Sequence, residues 1–490
     1  MRTSRKPRPG AGSLTADRAS APALTRGTIA RHHRALFTGP GELRRRACLL
    51  LTIVLATACT KRNPDLCCTT DAECDAIGFS SHAPCDLGVC VKNECTTASN
   101  TCDDDSDCAA GTFCVAGSCA ACASSSTCPT AAPVCDAVAH DCRACVTDGE
   151  CDSGACDLAD GTCIDPTHIR YASPTGDDGQ PCSRTQPCTF HHASATVDAD
   201  HAYIVLLPGI HHSYGSFNGT SAIVCGQGAS LEVSEAVLEM SNDATVTLRG
   251  FQIIQPDPKL SSEFILIHCD SSSLTLQDMT IQVTAPSWNL IRVSSGKSLT
   301  IQRSTLDGGA VLLDGADVTI DRSVFLTKTG LSYRDDGHSL RLSNSLFEFR
   351  SFDALQIVTT DDTLTAKSAF IYNNTFVNGK LSCAGNQFFP AYFEANIFYN
   401  TSLDQFYPNS PPGCNFTNNV ISASLPVTGT DNQVADPMFV NPAAHDYNLQ
   451  PISPARDAAT RSLANHDLDG AFRPQGVRND IGAYEYKAPN

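Results

Sequence analysis

Two short acidic groups have residue types suited to proton transfer. One is Asp335-Asp336-Gly337-His338, flanked by Arg334 and Arg341; the other is Asp361-Asp362. A carboxylate pair beside an imidazole can take a proton at one step and return it at another. The same residues are also ordinary turn formers. The pairs His191-His192 and His211-His212 offer metal-ligand atoms, but adjacent residues of a strand point to opposite faces. Asp467-Leu468-Asp469-Gly470 offers part of a calcium-loop pattern without the downstream bidentate Glu, so it reads as a turn. Asp103, Asp104, Asp105 and Asp107 read either as a calcium loop or as a solvated acidic loop. Calcium is therefore the one cation these groups suggest, and no organic cofactor is indicated. P-loop, dinucleotide, Gly-x-Ser-x-Gly and His-Glu-x-x-His patterns are absent.

The elements that must position these groups follow from composition. The chain has 490 residues, 26 cysteines and a formal charge of −18. An acidic chain repels phosphate backbones, so nucleic acid is not an expected partner. So many cysteines point to an oxidising, extracytoplasmic compartment. Residues 1–58 are the exception in charge, with eleven Arg/Lys against two Asp/Glu. Arg44-Arg45-Arg46 precedes an apolar run from Ala47 to Ala58, too short to span a bilayer, and Cys59 follows. This is the layout of a signal peptide. Its exit, Leu55-Ala-Thr-Ala-Cys59, resembles a bacterial lipobox, in which the cysteine is lipidated, although Ala56 stands where that family prefers Leu. Cleavage after Ala58 without lipidation is the alternative. Removing Cys48 with the signal leaves 25 cysteines, and lipidation of Cys59 leaves an even 24, all able to pair.

Between Cys67 and Cys163 lie 18 cysteines in 97 residues, with few large apolar side chains. Crosslinks must replace a core there. The spacing C-x5-C recurs at Cys68/Cys74, Cys102/Cys108, Cys122/Cys128 and Cys145/Cys151, each followed by two further cysteines. Zinc would favour C-x2-C pairs with histidine, and disulfides fit an exported chain better. The phrases Cys-Thr-Thr-Asp-Ala-Glu-Cys and Cys-Val-Thr-Asp-Gly-Glu-Cys resemble cysteine-rich modules of myxobacterial surface lipoproteins, which implies an extracytoplasmic stalk.

Beyond Pro166 a weak repeat of the form apolar-x-apolar takes over. It runs through Val246-Thr-Leu248, Leu274-Thr-Leu276, Leu299-Thr-Ile301, Val318-Thr-Ile320, Leu340-Arg-Leu342, Phe370-Ile-Tyr372, Tyr392-Phe-Glu394 and Cys414-Asn-Phe416. Period-2 alternation repeating about every 22 residues predicts strands stacked coil on coil. Two residues after the aligned positions stand Asn344, Asn374, Asn396 and Asn418, which predicts a structural asparagine ladder. With these strands the chain resembles the right-handed parallel β-helix proteins of the pectate-lyase-like superfamily. Its close, Asp436-Pro-Met-Phe439 through Asp480-Ile-Gly-Ala-Tyr-Glu-Tyr486, is similar to the exit of surface-anchored members.

The expected class is all-β, a right-handed parallel β-helix preceded by a small disulfide-rich region and a signal peptide. The expected segments are 1–58 basic extension and lipoprotein signal, 59–165 cysteine-rich repeats, 166–435 β-helix and 436–490 C-terminal cap. Disulfides are expected at Cys182–Cys188, Cys225–Cys269 and Cys383–Cys414. The resemblance spans enzymes, adhesins and structural proteins. The enzymes of the fold set acidic residues on calcium or cluster aspartates, which makes Asp335, Asp336, His338, Asp361 and Asp362 the catalytic candidates. The polygalacturonase set of motifs is not present. The reading is a lipid-anchored envelope protein, held to the membrane at Cys59, that binds a polysaccharide or envelope component without catalysis. The alternative is a lyase or hydrolase of acidic polysaccharide.

Overall fold

A computed structural model describes residues 88–91, 94–97 and 102–488, apart from 233–237, 256–264, 285–288, 328–329, 336, 350–354, 360–367, 385–389, 405–413, 423–428 and 462. The chain divides into two compact units, 1–99 and 100–490. In the first, Gly88–Val91 pairs antiparallel with Glu94–Thr97. The signal segment and Cys59 lie outside the described residues.

The second unit begins with three disulfide modules, each closed in the order first-to-third and second-to-fourth. The bonds are Cys102–Cys114 and Cys108–Cys119, Cys122–Cys135 and Cys128–Cys142, then Cys145–Cys156 and Cys151–Cys163. The acidic and hydroxyl residues between the first two cysteines have a local task. A single turn of 3₁₀ helix follows Asp104, Ser124 and Thr147. In the first and third modules Asp107 and Glu150 complete a capping box by accepting the N–H of the cap residue. One residue beyond the cap, Asp105, Ser125 and Asp148 accept the N–H of the third cysteine at 2.7, 3.2 and 2.9 Å. Asp104, Asp105 and Asp107 are thus occupied with backbone donors of their own module.

From Ile169 the chain winds as a parallel β-helix with three faces. Sheet A has 12 strands, sheet B 11 and sheet C 9, each strand hydrogen-bonded to its counterpart one coil away. The short helix Phe190–Ala195, capped by Thr189, packs Phe190 and Ala193 into the core of the first coils. Inward columns hold Leu248, Leu276, Ile301 and Ile320 on sheet A. On sheet B they become a stack of Phe325, Phe347, Phe376 and Phe398 with ring centroids 4.9, 5.0 and 5.2 Å apart.

The predicted register holds to Leu342 and then slips twice. Leu342 pairs with Ile371 rather than Tyr372, and Glu394 pairs with Thr417 rather than Phe416. The inward residues of these strands are Ala369 and Ile371, then Ala391 and Phe393. A one-residue slip exchanges the two faces of a strand. Phe370 and Tyr392, apolar but outward, made the wrong phase look right.

The slips divide the expected asparagine ladder into two columns. The inward column is Asn374, Asn396, Asn419 and Asn432. Each Nδ2 donates to the Oδ1 of the next, at 3.1, 3.2 and 2.9 Å. Each Oδ1 also accepts the backbone N–H of the preceding rung, as Asn396 does from Asn374 at 2.9 Å. Earlier coils use serine in this column: Ser345, Ser323 and Ser304 accept from the N–H of Ser323, Ser304 and Met279. Asn344 and Asn418 belong to the neighbouring column of left-handed corners, with φ of 48° and 55°. There asparagine is favoured because it tolerates αL. Asn344 donates to Asp321, and Asn418 ties to Ala458 and Thr460.

Cys182–Cys188 and Cys383–Cys414 are bonded as expected. Cys225–Cys269 is not: both thiols are free and buried. Cys225 points outward from sheet A into a cluster with Ala155, Tyr171 and Val205, whereas Cys269 points into the core from sheet C. Stacking alone therefore cannot join them.

Candidate functional site

Two parts of the coil surface are covered by the chain itself. On sheet A, the outward column Tyr171, Val205, Cys225 and Arg249 lies beneath the module 145–163. Arg249 meets the Asp148 carboxylate with both Nε and Nη2, at 2.7 and 2.6 Å, and donates to Cys156 O at 2.9 Å. Burial pushes the Cys225 thiol up to about 12, and the Asp148 charge adds to this. On sheet B, the outward residues Leu346, Val377, Ile397 and Val420 pack against Phe439, Tyr447, Leu449 and Ile481 of the C-terminal segment.

That segment is locked by a polar knot. Arg473, fully buried, pairs with Glu485 at 2.7 Å and donates to the carbonyls of Asp480, Gly482 and His466. Asp467 is buried and accepts from Ala471 N and Glu485 N, so the Asp467–Gly470 turn serves the knot. Burial raises the Asp480 carboxyl to about 6 although it accepts two backbone N–H groups.

Sheet A carries a third surface, beyond the module, that no described segment covers. Its middle outward column runs Thr247, Thr275, Thr300, Thr319, Arg341, Phe370, Tyr392, Asn415 in unbroken register. Phe370 is 50% exposed and Tyr392 41%, and their rings stack at 5.4 Å. The Arg341 guanidinium lies over the ring of Tyr372, 5.0 Å from its centroid, and donates to its hydroxyl.

Of the catalytic candidates, His338 and the backbone of Asp335 lie among the described residues. Strand Leu331–Asp335 pairs with Leu355–Thr359, with Asp335 opposite Thr359. These two strands therefore end in adjacent coils at the same corner, between sheets C and A. The Asp335 side chain, Asp336, Asp361 and Asp362 lie outside the described residues. His338 Nδ1 is 3.7 Å from Asp317 Oδ2, one coil earlier. Asp317 also accepts from the Ser339 N–H and hydroxyl, at 2.8 and 2.7 Å. Arg334 turns to Asp314 at 3.4 Å. Asp317, Phe370 and Tyr392 are surface groups that no sequence motif marks. The signal for them was strand phase, which places residues 317, 370 and 392 outward.

The histidine pairs do not converge. His191 and His192 lie on the helix rather than a strand, and His191 stacks on Tyr214 at 4.2 Å. His211 is buried and donates from Nε2 to Leu207 O at 2.8 Å, and burial lowers its pKa. Among the described residues, the groups of three ligand atoms close enough to share a metal consist of cysteine sulfurs already in disulfides.

These features define an all-β parallel β-helix with a disulfide-rich N-terminal region. No protein-family model matches the chain, and no curated protein matches it. Among solved structures it is similar to the crystal structure of pectate lyase Pel9A, at 15% identity and a TM-score of 0.41, over 66% of this chain and 98% of that one.

Proposed function

We propose that the protein is an exported, lipid-anchored envelope protein whose open sheet A surface binds a glycan or another envelope component without catalysis. The observation that carries this reading is the exposed Phe370–Tyr392 pair. The chain covers one apolar outward patch of sheet A and one of sheet B with its own segments, and Ile210 and Val434 stand exposed singly on other strands. A large apolar pair left exposed on an otherwise polar face marks a contact surface. In the same column four threonines repeat a hydroxyl at the coil spacing and Arg341 adds one cation, which suits a polymer that repeats its own hydroxyls. The anchor is Cys59. The expectation that all 24 remaining cysteines pair does not hold, since Cys225 and Cys269 are free; of the other 22, 16 are in disulfides and the six from Cys67 to Cys95 are even in number. Cys59 is then left to carry lipid. The myxobacterial-type module is part of the same proposal.

The test is retention of the purified ectodomain on a panel of immobilised polysaccharides, with and without calcium. A bound polysaccharide should release the Phe370→Ser/Tyr392→Ser variant at least tenfold more readily than the wild type. Equal retention of the two proteins would rule out this surface. Cys59→Ala should move the full chain from membranes to the soluble fraction.

The shared corner of the Asp335 and Thr359 strands favours a second reading, a lyase or hydrolase of acidic polysaccharide. In it, His338, oriented by Asp317, exchanges the proton, and Asp335, Asp336, Asp361 and Asp362 hold calcium or act as acids. Appearance of new chain ends in the same panel, lost in His338→Ala, would favour it over binding alone.

A further inference from the structure

The module 145–163 has almost no interior of its own. Its buried cluster is Val134 with Cys145, Cys151 and Cys156, so its shape is set by the two disulfides Cys145–Cys156 and Cys151–Cys163. Asp148 sits between the first two of these cysteines. Its Oδ1 accepts both the Cys156 N–H, which belongs to the module, and Arg249 Nη2, which belongs to the coil. The residue that shapes the module is thus the residue that docks it. Tyr171 adds a hydrogen bond from its hydroxyl to Ser153 O at 3.0 Å. Beneath the contact lies the Cys225 thiol, opposite Arg249 on the paired strand.

We propose that this module is a redox-releasable cover on the outer face of sheet A. A dithiol reductant opens each S–S bond by thiolate attack. Its second thiol then displaces the remaining protein sulfur, so two electrons pass to each cysteine pair and the reductant leaves as a cyclic disulfide. With both crosslinks open, the turn that holds Asp148 is no longer tied to Cys156, and the Asp148–Arg249 pair loses its geometry. The outward column Tyr171, Val205 and Cys225 becomes accessible. Release also changes the thiol's surroundings: the docked carboxylate disfavours thiolate, whereas Arg249 left alone on the next strand favours it. Cys269, in the core, serves as an internal reference because the module does not touch it.

The experiment uses the whole chain and N-ethylmaleimide, whose alkene carbon takes the thiolate sulfur while its neighbour takes a proton. Labelled sites are mapped by mass spectrometry along a titration with dithiothreitol. Cys225 should be unlabelled in the oxidised protein. It should become labelled together with Cys145, Cys151, Cys156 and Cys163, while Cys269 stays protected and the far-ultraviolet circular dichroism keeps its β signal. Cys225 remaining protected after those four are labelled would overturn the proposal. So would labelling of Cys225 and Cys269 in step, which reports global unfolding. A second variant separates docking from the other disulfides. Asp148→Asn keeps an acceptor for Cys156 N but removes the charge facing Arg249. In the oxidised protein it should raise the Cys225 labelling rate at least tenfold, since labelling follows local opening. An unchanged rate would show that the ion pair does not hold the cover.

Discussion

The two halves of the β-helix solve the same stacking problem with different materials. In the coils up to Ser345 the sheet A core columns are aliphatic, and the inward polar column is serine at Ser304, Ser323 and Ser345. The corners carry Asp278, Arg303 and Arg322 in left-handed conformation, and the outer cover is a crosslinked module on sheet A. In the coils from Leu346 on the sheet B core is a phenylalanine stack that begins one coil earlier at Phe325, the inward column becomes asparagine from Asn374, and the outer cover is an apolar segment on sheet B. The difference follows from what each cover supplies. The module brings disulfides and little apolar surface, so it docks through an ion pair. The C-terminal segment brings Phe439, Tyr447, Leu449 and Ile481, so the coils beneath it turn apolar on both faces, as doubly buried strands do. The strand Leu346–Phe349 is buried at all four positions.

The comparison is broken most sharply at the knot. Arg473→Met leaves Glu485 buried without its cation, and breaking a buried pair on one side costs about 3–5 kcal/mol. Hydrogen exchange should show loss of protection in 455–486 with little change in the coils before Asp321. A loss under about 1 kcal/mol would mean that apolar packing alone holds the C-terminal cover.

Asn396→Leu comes next. It removes the acceptor of the buried Asn374 N–H and the donor to Ile371 O, and each orphaned group costs about 1–3 kcal/mol. No backbone strain is added, because the left-handed corner beside it is Ala395. Urea unfolding should show a drop of about 3 kcal/mol; Asn63→Leu, far along the chain, is the control.

The third concerns pH. The Asp480 carboxyl is at about 6 in the fold against an ordinary 3.8, so the folded state holds the extra proton between these values. Its contribution to stability is therefore greatest below pH 4 and is lost as pH rises to 6, by on the order of 2–3 kcal/mol. Protection of residues 455–486 measured across that window should show this fall, and Asp480→Asn should abolish it. A wild-type profile that rises instead would contradict the burial argument.

The smallest effect belongs to the serine half. Ser323→Ala orphans one group, the Ser304 N–H held at 3.2 Å, where Asn396→Leu orphans both an N–H and a carbonyl, so it should cost about 1 kcal/mol. If it matched Asn396→Leu, the two inward columns would be equivalent and the contrast between the halves would fail.

The sequence alone determined what is local. Period-2 alternation fixed the strands, because successive side chains of a strand must face opposite ways. Cysteine spacing grouped the modules, because each group closes on itself within 11 to 14 residues. The stretches Leu346-Phe-Glu-Phe349 and Thr375-Phe-Val377 are buried at every position although Glu348 and Thr375 are polar, so the cover on sheet B was not legible from them. Tertiary structure decided what depends on counting across loops of unequal length. It set the phase of residues 369–372 and 391–394, and with it whether Phe370 and Tyr392 face solvent and whether Asn418 or Asn419 joins the ladder. It also separated Cys225 from Cys269, since two cysteines one or two coils apart pair only if they share a side of the wall. Asp317 came beside His338 for the same reason: the 20 residues between them close one coil, and only that closure makes neighbours of them.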